Sequence, residues 1–393
     1  MQIAMWGPGS QRFPGGGLGA ESPIRVILTI PAMSQTTPSW KFECITSWDE
    51  VWRPSFVEQW LRWLDESPTG HVFFHPALVR AWVETYQPLR DVRPLFLIGE
   101  CDGTTAFLPL VLWRRNWKNA WQRLLVPVGY SDFDYHDPIF AGGGGSGNVA
   151  VDFWNAVPEY LQSTVRQGFD QLVIDGVRSP AAGQGLGWTE DGACPWSDLT
   201  PFKLPEDFLP SLKKSLRGDL RRQQRRIEEA GGLATITYGT HQTAEVLLEL
   251  PAFLDAHSRR WPNAYKAPHF HENLVRHGLP VGVLSFCMIR IGGEVAAWHL
   301  GFSFCKRVYL YMPAMVEQFA NLSPGKILML RLYEHAIAEG KEVFDHLRGA
   351  EEYKEDWSTA SQALWRFEMR ALGAASSIRN SLVSRVKPML VRR

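Results

Sequence analysis

The sequence predicts an α/β protein of two similarly built halves, each a mixed, mostly antiparallel sheet flanked by helices. The chain has 393 residues, which is more than one hydrophobic core usually organises. The order β-hairpin, strand, helix, strand occurs twice along it, without a repeat at the level of residues. We therefore expect a disordered leader (1–38), an N-terminal domain (39–190), a C-terminal domain (191–376) and a basic tail (377–393).

The first half opens with helical periodicity and continues with strands. Apolar side chains recur at helical spacing from Trp48 to Leu64, and a second helix is predicted from Pro76 to Tyr86. Two β-like runs, Pro94 to Glu100 and Thr105 to Trp113, flank an Asp-Gly pair, which is a hairpin signal. The predicted elements that follow are the strand RLLVPVG, the polar-aromatic stretch SDFDYHDPIF, the loop AGGGGSG, a helix from Val149 to Gln167 and the strand QLVID.

The second half repeats this plan after a Gly/Pro-rich region, residues 178–205, in which we place the domain boundary. A long helix is predicted from about Pro205 to Ala230, with leucines along one side and basic residues along the other. Gly292-Gly293 predicts a second hairpin. The predicted elements after the long helix are the strand LATITYG, helices from Thr243 to Arg260 and near His269 to Gly278, the strands GVLSFCMIRI, EVAAWHLGFS and RVYLYMPA, the helix PGKILMLRLYEHAIAEG, the strand EVFDHL and a last strand from about Ala363 to Leu372.

Composition excludes several classes of protein. The formal net charge is zero and the pI is near 7.2, so the chain as a whole does not bind polyanions by charge. Its five cysteines are scattered and lack CxxC spacing, which argues against a disulfide framework and against a zinc module. No apolar run approaches the roughly 20 residues of a membrane span. We expect a cytoplasmic protein.

The segment NLSPGKILML, Asn321 to Leu330, predicts a helix start that suits an anion. Ser323 stands at the N-cap and Pro324 in the first turn. Gly325 removes side-chain bulk, and Lys326 adds a positive charge beside free backbone N–H groups and the positive end of the helix dipole. A plain proline-capped helix explains the same residues, so the segment alone leaves both interpretations open.

Three stretches together resemble a known family: FLDAHSRRW, SPGKILMLRLYEHAIAEG and FDHLRGAEEYKEDW. They are similar to the CelD-type acetyltransferases of the Gcn5-related N-acetyltransferase superfamily, which are associated with bacterial polysaccharide biosynthesis and are related to the Fem-type aminoacyltransferases. The matching residues of the last motif are Phe344, Asp345, Arg348, Gly349, Glu352, Tyr353 and Lys354, with His346 where a second phenylalanine is common. The resemblance covers about residues 40–375 and is looser in the first half.

The resemblance implies tandem acetyltransferase-like domains and acetyl-CoA, or another acyl-CoA, as co-substrate. Ser323, Gly325 and Lys326 would hold its pyrophosphate, and a backbone N–H of the strand from Arg307 to Pro313 would polarise the thioester. The implied reaction transfers the acyl group to an amine of a sugar or amino-acid-like acceptor, which is a small molecule or a glycan precursor. Two alternatives stay open: a Fem-type transferase that uses aminoacyl-tRNA, and a non-catalytic binding protein of a polysaccharide system.

Acyl transfer to an amine also needs a base, and four side chains are candidates. His299 alternates with Ala297 and Gly301 on its strand, which would leave room for a ligand, although a hydrogen-bonded core histidine is an equal alternative. His257 precedes Trp261 on a helix and would either orient substrate or stack in the core. The remaining candidates are Asp345 and Glu352.

Gly349 divides the charged stretch that ends the motif. Before the glycine, a buried pair of Asp345 with Arg348 would hold the turn. After it, Tyr353 would donate a proton to the leaving thiolate, and Lys354 would contact an acidic substrate or a phosphate. The residues predicted to bind substrate are Arg348, Lys354 and Trp261.

Three further features lead to minor predictions. The stretch HFHENLVRHG lacks the frame of a metal site, so we expect no metal. The basic face of the long helix lacks interleaved aromatic residues, so we expect no nucleic-acid binding, although this face would suit an anionic substrate. The tail from Ser377 to Arg393 has five basic and no acidic residues, which suggests weak peripheral contact with an anionic membrane.

Overall fold

A single mixed sheet, flanked by helices, runs through both halves of the chain. The computed structural model describes residues 40–116, 121–143, 147–164, 168–178, 181, 187–262, 264, 266–349, 351–373 and 376–383. The predicted leader lies outside these residues, as does the predicted tail beyond residue 383. The described residues belong to one compact unit. The division of that unit into two domains stays a prediction.

Seven strands and four helices of the described residues belong to the N-terminal half. They are β1 (Lys41–Ile45), α1 (Trp48–Val51), α2 (Pro54–Glu66), α3 (Pro76–Arg90), β2 (Arg93–Cys101), β3 (Thr104–Arg114), β4 (Arg123–Pro127), β5 (Ile139–Ala141), α4 (Asn148–Thr164), β6 (Gln171–Val177) and β7 (Trp188–Asp198). Prolines begin α2 and α3, where the missing N–H costs no helical hydrogen bond.

Six strands and six helices of the described residues up to Arg370 belong to the C-terminal half. They are α5 (Phe208–Ser211), α6 (Lys214–Glu229), β8 (Leu233–Thr237), α7 (Thr243–Arg260), α8 (Phe270–Gly278), β9 (Leu284–Ile291), β10 (Glu294–Phe304), β11 (Arg307–Met315), α9 (Pro324–Ala338), β12 (Val343–Asp345), α10 (Glu352–Glu355) and β13 (Ala360–Arg370). Residues 376–383 are helical.

The strand order is symmetric about the centre of the sheet. It reads β1-β2-β3-β4-β6-β13-β7-β12-β11-β10-β9-β8, with β5 paired to β3. Only two of the pairs between described strands are parallel, β4 with β6 and β11 with β12, and each is joined through a helix. The two halves therefore share one plan, which confirms the predicted α/β fold and its duplication.

Tight hairpins align the central strands of each half. Asp102 and Gly103 both have positive φ angles, 47° and 78°, between β2 and β3. Gly292 and Gly293 adopt 58° and 88° between β9 and β10. Two consecutive residues with positive φ match the right-handed twist of the flanking strands, which is why Asp-Gly and Gly-Gly occur there. Both predicted hairpins are confirmed.

The halves exchange their last strands. β13, from the end of the chain, pairs with β6 of the first half, from Trp365↔Val177 to Arg370↔Gln171. β7, from the first half, pairs with β12 of the second, from Val343↔Asp198 to Asp345↔Trp196. β7 and β13 also pair with each other. The strands of the two halves therefore form one continuous hydrogen-bonded sheet.

Two predicted helices are each divided in the structure. The helix predicted from Trp48 to Leu64 breaks before Pro54, because a residue that precedes proline is driven out of the α conformation. The helix predicted from Pro205 to Ala230 becomes a 3-10 turn, α5 and α6, with extended backbone at Leu212. The bend lets Phe208 stack on Tyr333 at 4.2 Å while α6 packs beside the start of α9.

β7 lies where the sequence predicts a linker. Its residues WTEDGACPWSD include glycine and proline, which are rare in central strands, so local preference argues against a strand. The structure overrides this preference by pairing β7 on both sides, with β12 and with β13. This strand depends on partners that are more than 140 residues away along the chain.

Two apolar clusters pack against the sheet. One contains side chains of α2, α3, α4, α7 and α8, and the other contains side chains of α5, α6 and α9 together with the strands β9 to β12. Among the described residues, no helix is both long enough and apolar enough to cross a membrane.

Candidate active site

The site is built where β11 and β12 part. Their parallel pairing comprises three residue pairs, from Arg307↔Val343 to Tyr309↔Asp345, and there β12 ends. β11 continues to Met315, and an irregularity in its pairing with β10 falls just after Tyr309. An extra residue on one strand bends that strand away from its neighbours. The edge of β11 that faced β12 is therefore open beyond Tyr309.

The start of α9 lies at this opening. Ser323 is the N-cap residue, with φ 50° and ψ 51°, and its side chain makes no capping hydrogen bond. Its carbonyl accepts the N–H groups of Lys326 and Ile327, at 3.0 and 3.3 Å. Fewer N–H groups are therefore free than the sequence suggests. Within the described residues, the N–H of Gly325 is the one in this turn that has no partner.

A cleft of about 280 Å³ joins the open edge of β11 to the start of α9. Its lining is mostly apolar and includes the basic side chains of Arg260 and Lys326. The lining residues are Leu216, Arg260, Trp261, Pro313, Ala314, Met315, Ala320, Ser323, Gly325, Lys326, Met329, Tyr353, Asp356 and Trp357. The structure thus brings together five residues that the sequence singles out: Ser323, Gly325, Lys326, Trp261 and Tyr353.

Lys326 is held by the basic helix α6. Its Nζ lies 2.7 Å from a carboxylate oxygen of Asp219, which also pairs with Arg222. The hydrogen bond from Lys326 lowers the pKa of Asp219. Asp219 is the acidic residue that interrupts the basic face predicted for this helix, and it ties that face to the cleft. An anion bound at Lys326 would therefore contact an ammonium group that is also paired with the Asp219 carboxylate.

Tyr353 and Trp261 both line the cleft. Tyr353 is half-buried, and burial together with nearby Glu351 raises the pKa of its hydroxyl to about 12. The hydroxyl therefore stays protonated at neutral pH and retains a proton to donate. Trp261 follows α7 and is 37% exposed, with Arg260 5.7 Å from the centre of its ring.

Asp345 and Arg348 do not pair with each other as predicted. Asp345 is 2% exposed and accepts hydrogen bonds from Tyr135 (2.6 Å), Arg307 (2.9 Å) and the backbone N–H of Leu347 (2.9 Å). Arg348 lies 2.8 Å from the carboxylate of Asp191 in β7. The prediction of an Asp345–Arg348 pair is wrong because both side chains find closer partners on other strands.

Lys354 lies inside the turn instead of facing a substrate. It is 4% exposed, donates to the carbonyl of Arg348 at 2.9 Å and pairs with Glu351 at 2.8 Å. Glu352 begins α10 and is exposed. Neither residue lines the cleft, whereas Tyr353 does. Lys354 instead stabilises the turn after β12 through its bonds to Arg348 and Glu351.

His299 is buried beside the second apolar cluster. It is 1% exposed, and neither ring nitrogen has a hydrogen-bond partner among the described residues. Burial lowers its pKa to about 3. A methyl group at Gly301 would overlap the imidazole ring. The small residues beside His299 therefore accommodate its own ring, and the predicted room for a ligand is absent at this glycine.

We expect His299→Leu to leave the free energy of unfolding at neutral pH unchanged or slightly higher, because no hydrogen bond is lost and an unpaired polar ring is removed. The variant should also resist acid better. An unfolded histidine binds a proton below about pH 6.5 and the folded one only near pH 3, so stability is lost as pH falls through this range. The loss is at most about 1.4 kcal/mol per pH unit.

Urea denaturation at neutral and mildly acidic pH measures this difference. His241→Leu, which replaces an exposed histidine, is the matched control. If wild type and His299→Leu lose the same stability on acidification, the buried, neutral state of His299 is incorrect.

His257 lies on the other side of the sheet from His299. It is 9% exposed on α7, and burial lowers its pKa to about 4, with a further contribution from the cation of Lys266. Its ring lies 6.2 Å from that of Phe253. The structure therefore separates the two predicted histidine bases, and neither lines the cleft.

The polar-aromatic stretch from Ser131 to Pro138 contributes a charged cluster that the sequence does not assign. Asp132 lies 3.3 Å from Lys266, Asp137 lies 2.8 Å from Arg178, and Tyr135 bonds to Asp345. The signal in the sequence is three aspartates within six residues of an otherwise apolar region. This stretch brings charged groups of the first half to the end of β12.

A metal site is not apparent in the part of the chain that the structure describes. No group of three or more His, Cys, Asp or Glu side chains is placed to hold a metal ion there. The expectation that the protein uses no metal stays a prediction.

Residues 214–355 match the family described as acetyltransferase (GNAT) domain. This range runs from α6 to α10 and includes the whole opening between β11 and β12. No curated protein matches the sequence. The C-terminal half therefore resembles a GNAT-type acetyltransferase domain over these residues, whereas the CelD-type assignment is a finer prediction.

Solved structures with little sequence identity share the fold. FemX is 10% identical, with a TM-score of 0.55 over 80% of this chain and 96% of FemX. The C-terminal domain of a putative lysylphosphatidylglycerol synthetase from Agrobacterium fabrum is 13% identical, with a TM-score of 0.50 over 84% of this chain and 95% of that domain. At such identities the likeness shows the fold alone.

Proposed function

We propose that this protein is an acyl-CoA-dependent N-acyltransferase. The acyl group is most simply acetyl, and the acceptor is an amine of a sugar or an amino-acid-like molecule. The observation that supports the proposal is the cleft that joins the open edge of β11 to Gly325 and Lys326 at the start of α9. All the residues that line this cleft, except Asp356 and Trp357, lie within the segment that matches the acetyltransferase domain.

The lining of the cleft fits the two chemical parts of an acyl-CoA. Lys326 and the N–H of Gly325 suit the pyrophosphate, because a helix start and a cation both favour an anion. Pro313, Ala314 and Met329 offer an apolar wall to the pantetheine chain. Acetyl-CoA supplies the thioester, and the exposed edge of β11 is the candidate donor of a hydrogen bond to its carbonyl.

Among the predicted catalytic residues, we retain Tyr353 as the donor of a proton to the leaving thiolate. It lines the cleft, and its raised pKa keeps the hydroxyl protonated until the thiolate forms. His257, His299, Asp345 and Glu352 lie away from the cleft lining. Trp261 is retained as a contact for substrate at the rim.

The biological setting is the finer part of the proposal. The CelD-type resemblance supports a role in exopolysaccharide or cell-envelope biosynthesis, in the cytoplasm, with a glycan precursor as acceptor. The exposed basic face of α6 supports an anionic acceptor. Its exposed cationic residues are Lys213, Lys214, Arg221, Arg222, Arg225 and Arg226.

A Fem-type reaction with aminoacyl-tRNA is the second candidate function. The similarity to FemX in fold and the same basic face of α6 favour it. A non-catalytic binding protein of a polysaccharide system is the third. The Fem-type alternative predicts binding of tRNA without binding of acetyl-CoA, and the binding-protein alternative predicts neither turnover nor release of CoA.

Calorimetric titration of the whole chain with acetyl-CoA, and separately with free CoA, tests the proposal. We expect one acetyl-CoA to bind per chain, with a Kd of about 1 mM or tighter, since substrate affinities of enzymes usually fall in that range. Absence of binding to both ligands would exclude the acyl-CoA-dependent reaction.

A further inference from the structure

The loop between β4 and β5 in the first half crosses the place where β11 and β12 part in the second. On one side, the hydroxyl of Tyr311 in β11 lies 3.5 Å from the carbonyl of Asp132. On the other, the hydroxyl of Tyr135 donates to Asp345 at the end of β12, at 2.6 Å. Asp134 lies between these two contacts along the chain. The first half therefore places the loop segment that contains Asp134 across the opening between the two strands.

Charges around Asp134 are already paired with other groups. Lys266 has Asp132, Arg307 has Asp345, Arg348 has Asp191 and Lys354 has Glu351, at 3.3, 2.9, 2.8 and 2.8 Å respectively. The Asp132 carboxylate also accepts the indole N–H of Trp82, at 3.0 Å. Within the described residues, no hydrogen bond or ion pair holds the Asp134 carboxylate. Asp134 therefore contributes an unpaired carboxylate to this cluster.

The environment of Asp134 suits a group that exchanges a proton near neutral pH. Its side chain is half-buried, and desolvation raises its pKa to about 6, although the cations of Lys266, Lys354 and Arg348 oppose that shift and the Asp345 carboxylate adds to it. A carboxylate with such a pKa is a stronger base than an ordinary aspartate. The predicted bases His257 and His299 have pKa values of about 4 and 3 and are weaker.

We propose that Asp134 is the general base of the acyl transfer and that the protonated amine of the acceptor binds beside it, where the loop between β4 and β5 meets β11 and β12. This inference rests on the proposed function. Asp134 takes one proton from the ammonium group, and the neutral amine attacks the thioester carbonyl carbon. As the tetrahedral intermediate collapses, the C–S bond breaks, the second proton passes to the thiolate, and an amide and free CoA leave. The first half thus supplies a catalytic residue to a reaction centred in the second.

The pH dependence follows from the groups that face Asp134. Nearby Tyr311, Asp132 and Asp134 raise the pKa of Lys266 against the effect of burial, so that it remains cationic. Burial together with Asp132 and Asp134 raises the pKa of Tyr311 to about 12, so that it remains neutral. The raised pKa of Asp134, about 6, then falls within the pH range of the assay. Because the carboxylate form is the active base, kcat/KM should rise with pH and level off above about pH 6.

The test compares wild type with Asp134→Asn and, as a matched control, Asp102→Asn in the exposed turn between β2 and β3. Glucosamine and lysine amide serve as probe amines, and release of the CoA thiol from acetyl-CoA measures the rate. We expect Asp134→Asn to lower kcat/KM by a factor of about 10² to 10⁴, since a general base contributes about that factor. The rise of kcat/KM with pH near pH 6 should disappear in this variant. The Asp102 variant should match wild type, and all three proteins should bind acetyl-CoA equally.

A direct titration makes the test independent of turnover. In protein labelled with ¹³C at the aspartate carboxyl carbons, the resonance that Asp134→Asn removes should titrate near pH 6. If it titrates in the range of ordinary aspartates, or if Asp134→Asn retains the wild-type rate, the assignment of Asp134 is overturned. Failure of wild type to bind acetyl-CoA would instead overturn the proposed function, which the calorimetry detects separately.

Discussion

Replacement of Gly325 by glutamate is expected to lower the affinity for acetyl-CoA by at least about 100-fold, which corresponds to about 2.7 kcal/mol. The new carboxylate would enter the cleft at the place proposed for the pyrophosphate and would repel it. The fold should survive, because an acidic side chain in the first turn of a helix is favoured by the helix dipole. Calorimetric titration of the variant with acetyl-CoA measures the change.

Gly325→Ala is the matched control for the glutamate variant. A methyl group at this position would approach only the Met315 sulfur, at 3.8 Å, which is an ordinary contact. The alanine variant should therefore bind acetyl-CoA nearly as well as wild type. If glutamate at position 325 leaves the affinity unchanged in a folded protein, the pyrophosphate does not lie at the start of α9.

Replacement of Asp345 by alanine is expected to lower the free energy of unfolding by about 3 kcal/mol. The carboxylate is buried and joins three partners, so its loss leaves Arg307 and Tyr135 without their acceptor in a place that water reaches poorly. Breaking a buried pair costs about 3 to 5 kcal/mol, and we expect the lower figure because the Arg307 side chain is 31% exposed. Urea denaturation measures the effect.

Glu342→Ala provides the comparison for the Asp345 variant. Glu342 pairs with Lys306 just before β12, and both side chains are largely exposed, so its removal should cost less than about 1 kcal/mol. Similar small losses in both variants would show that Asp345 does not join the two halves as described. A large loss in Asp345→Ala alone supports its structural role.

Elements with strong local signals are predictable from the sequence. The helix α7 begins and ends at the predicted residues, Thr243 and Arg260, because its apolar residues repeat at helical spacing along its whole length. Both hairpins follow from residue pairs that tolerate positive φ. The start of α9 follows in the same way from Ser-Pro-Gly-Lys. Each of these signals consists of residues that lie close together along the chain.

Elements that depend on distant partners are not predictable in this way. β7 contains Gly192 and Pro195 and forms a strand only because β12 and β13 flank it. The partner of Arg348 is Asp191, 157 residues away, whereas the sequence offers Asp345 as a neighbour. Local spacing therefore suggests a pair of Arg348 with Asp345. The pairing of β7 with β12 and β13 brings Asp191 to Arg348 instead.

The candidate site likewise contains residues that local motifs indicate and one residue whose place depends on distant partners. Ser323, Gly325, Lys326 and Tyr353 belong to the second half, and the motifs that contain them indicate their place at the cleft. Asp134 comes from a loop of the first half, and nothing in its own neighbourhood shows that the loop reaches β11 and β12. Its environment depends on three cations from the C-terminal half of the chain.

A crystal structure of the whole chain grown with acetyl-CoA tests the central claim most directly. We predict electron density for one acetyl-CoA in the cleft that joins the open edge of β11 to the start of α9, with its pyrophosphate at Gly325 and Lys326 and its thioester at the open edge of β11. Density for acetyl-CoA elsewhere, or an unoccupied cleft at saturating acetyl-CoA, would contradict the claim that this cleft is the acyl-CoA site.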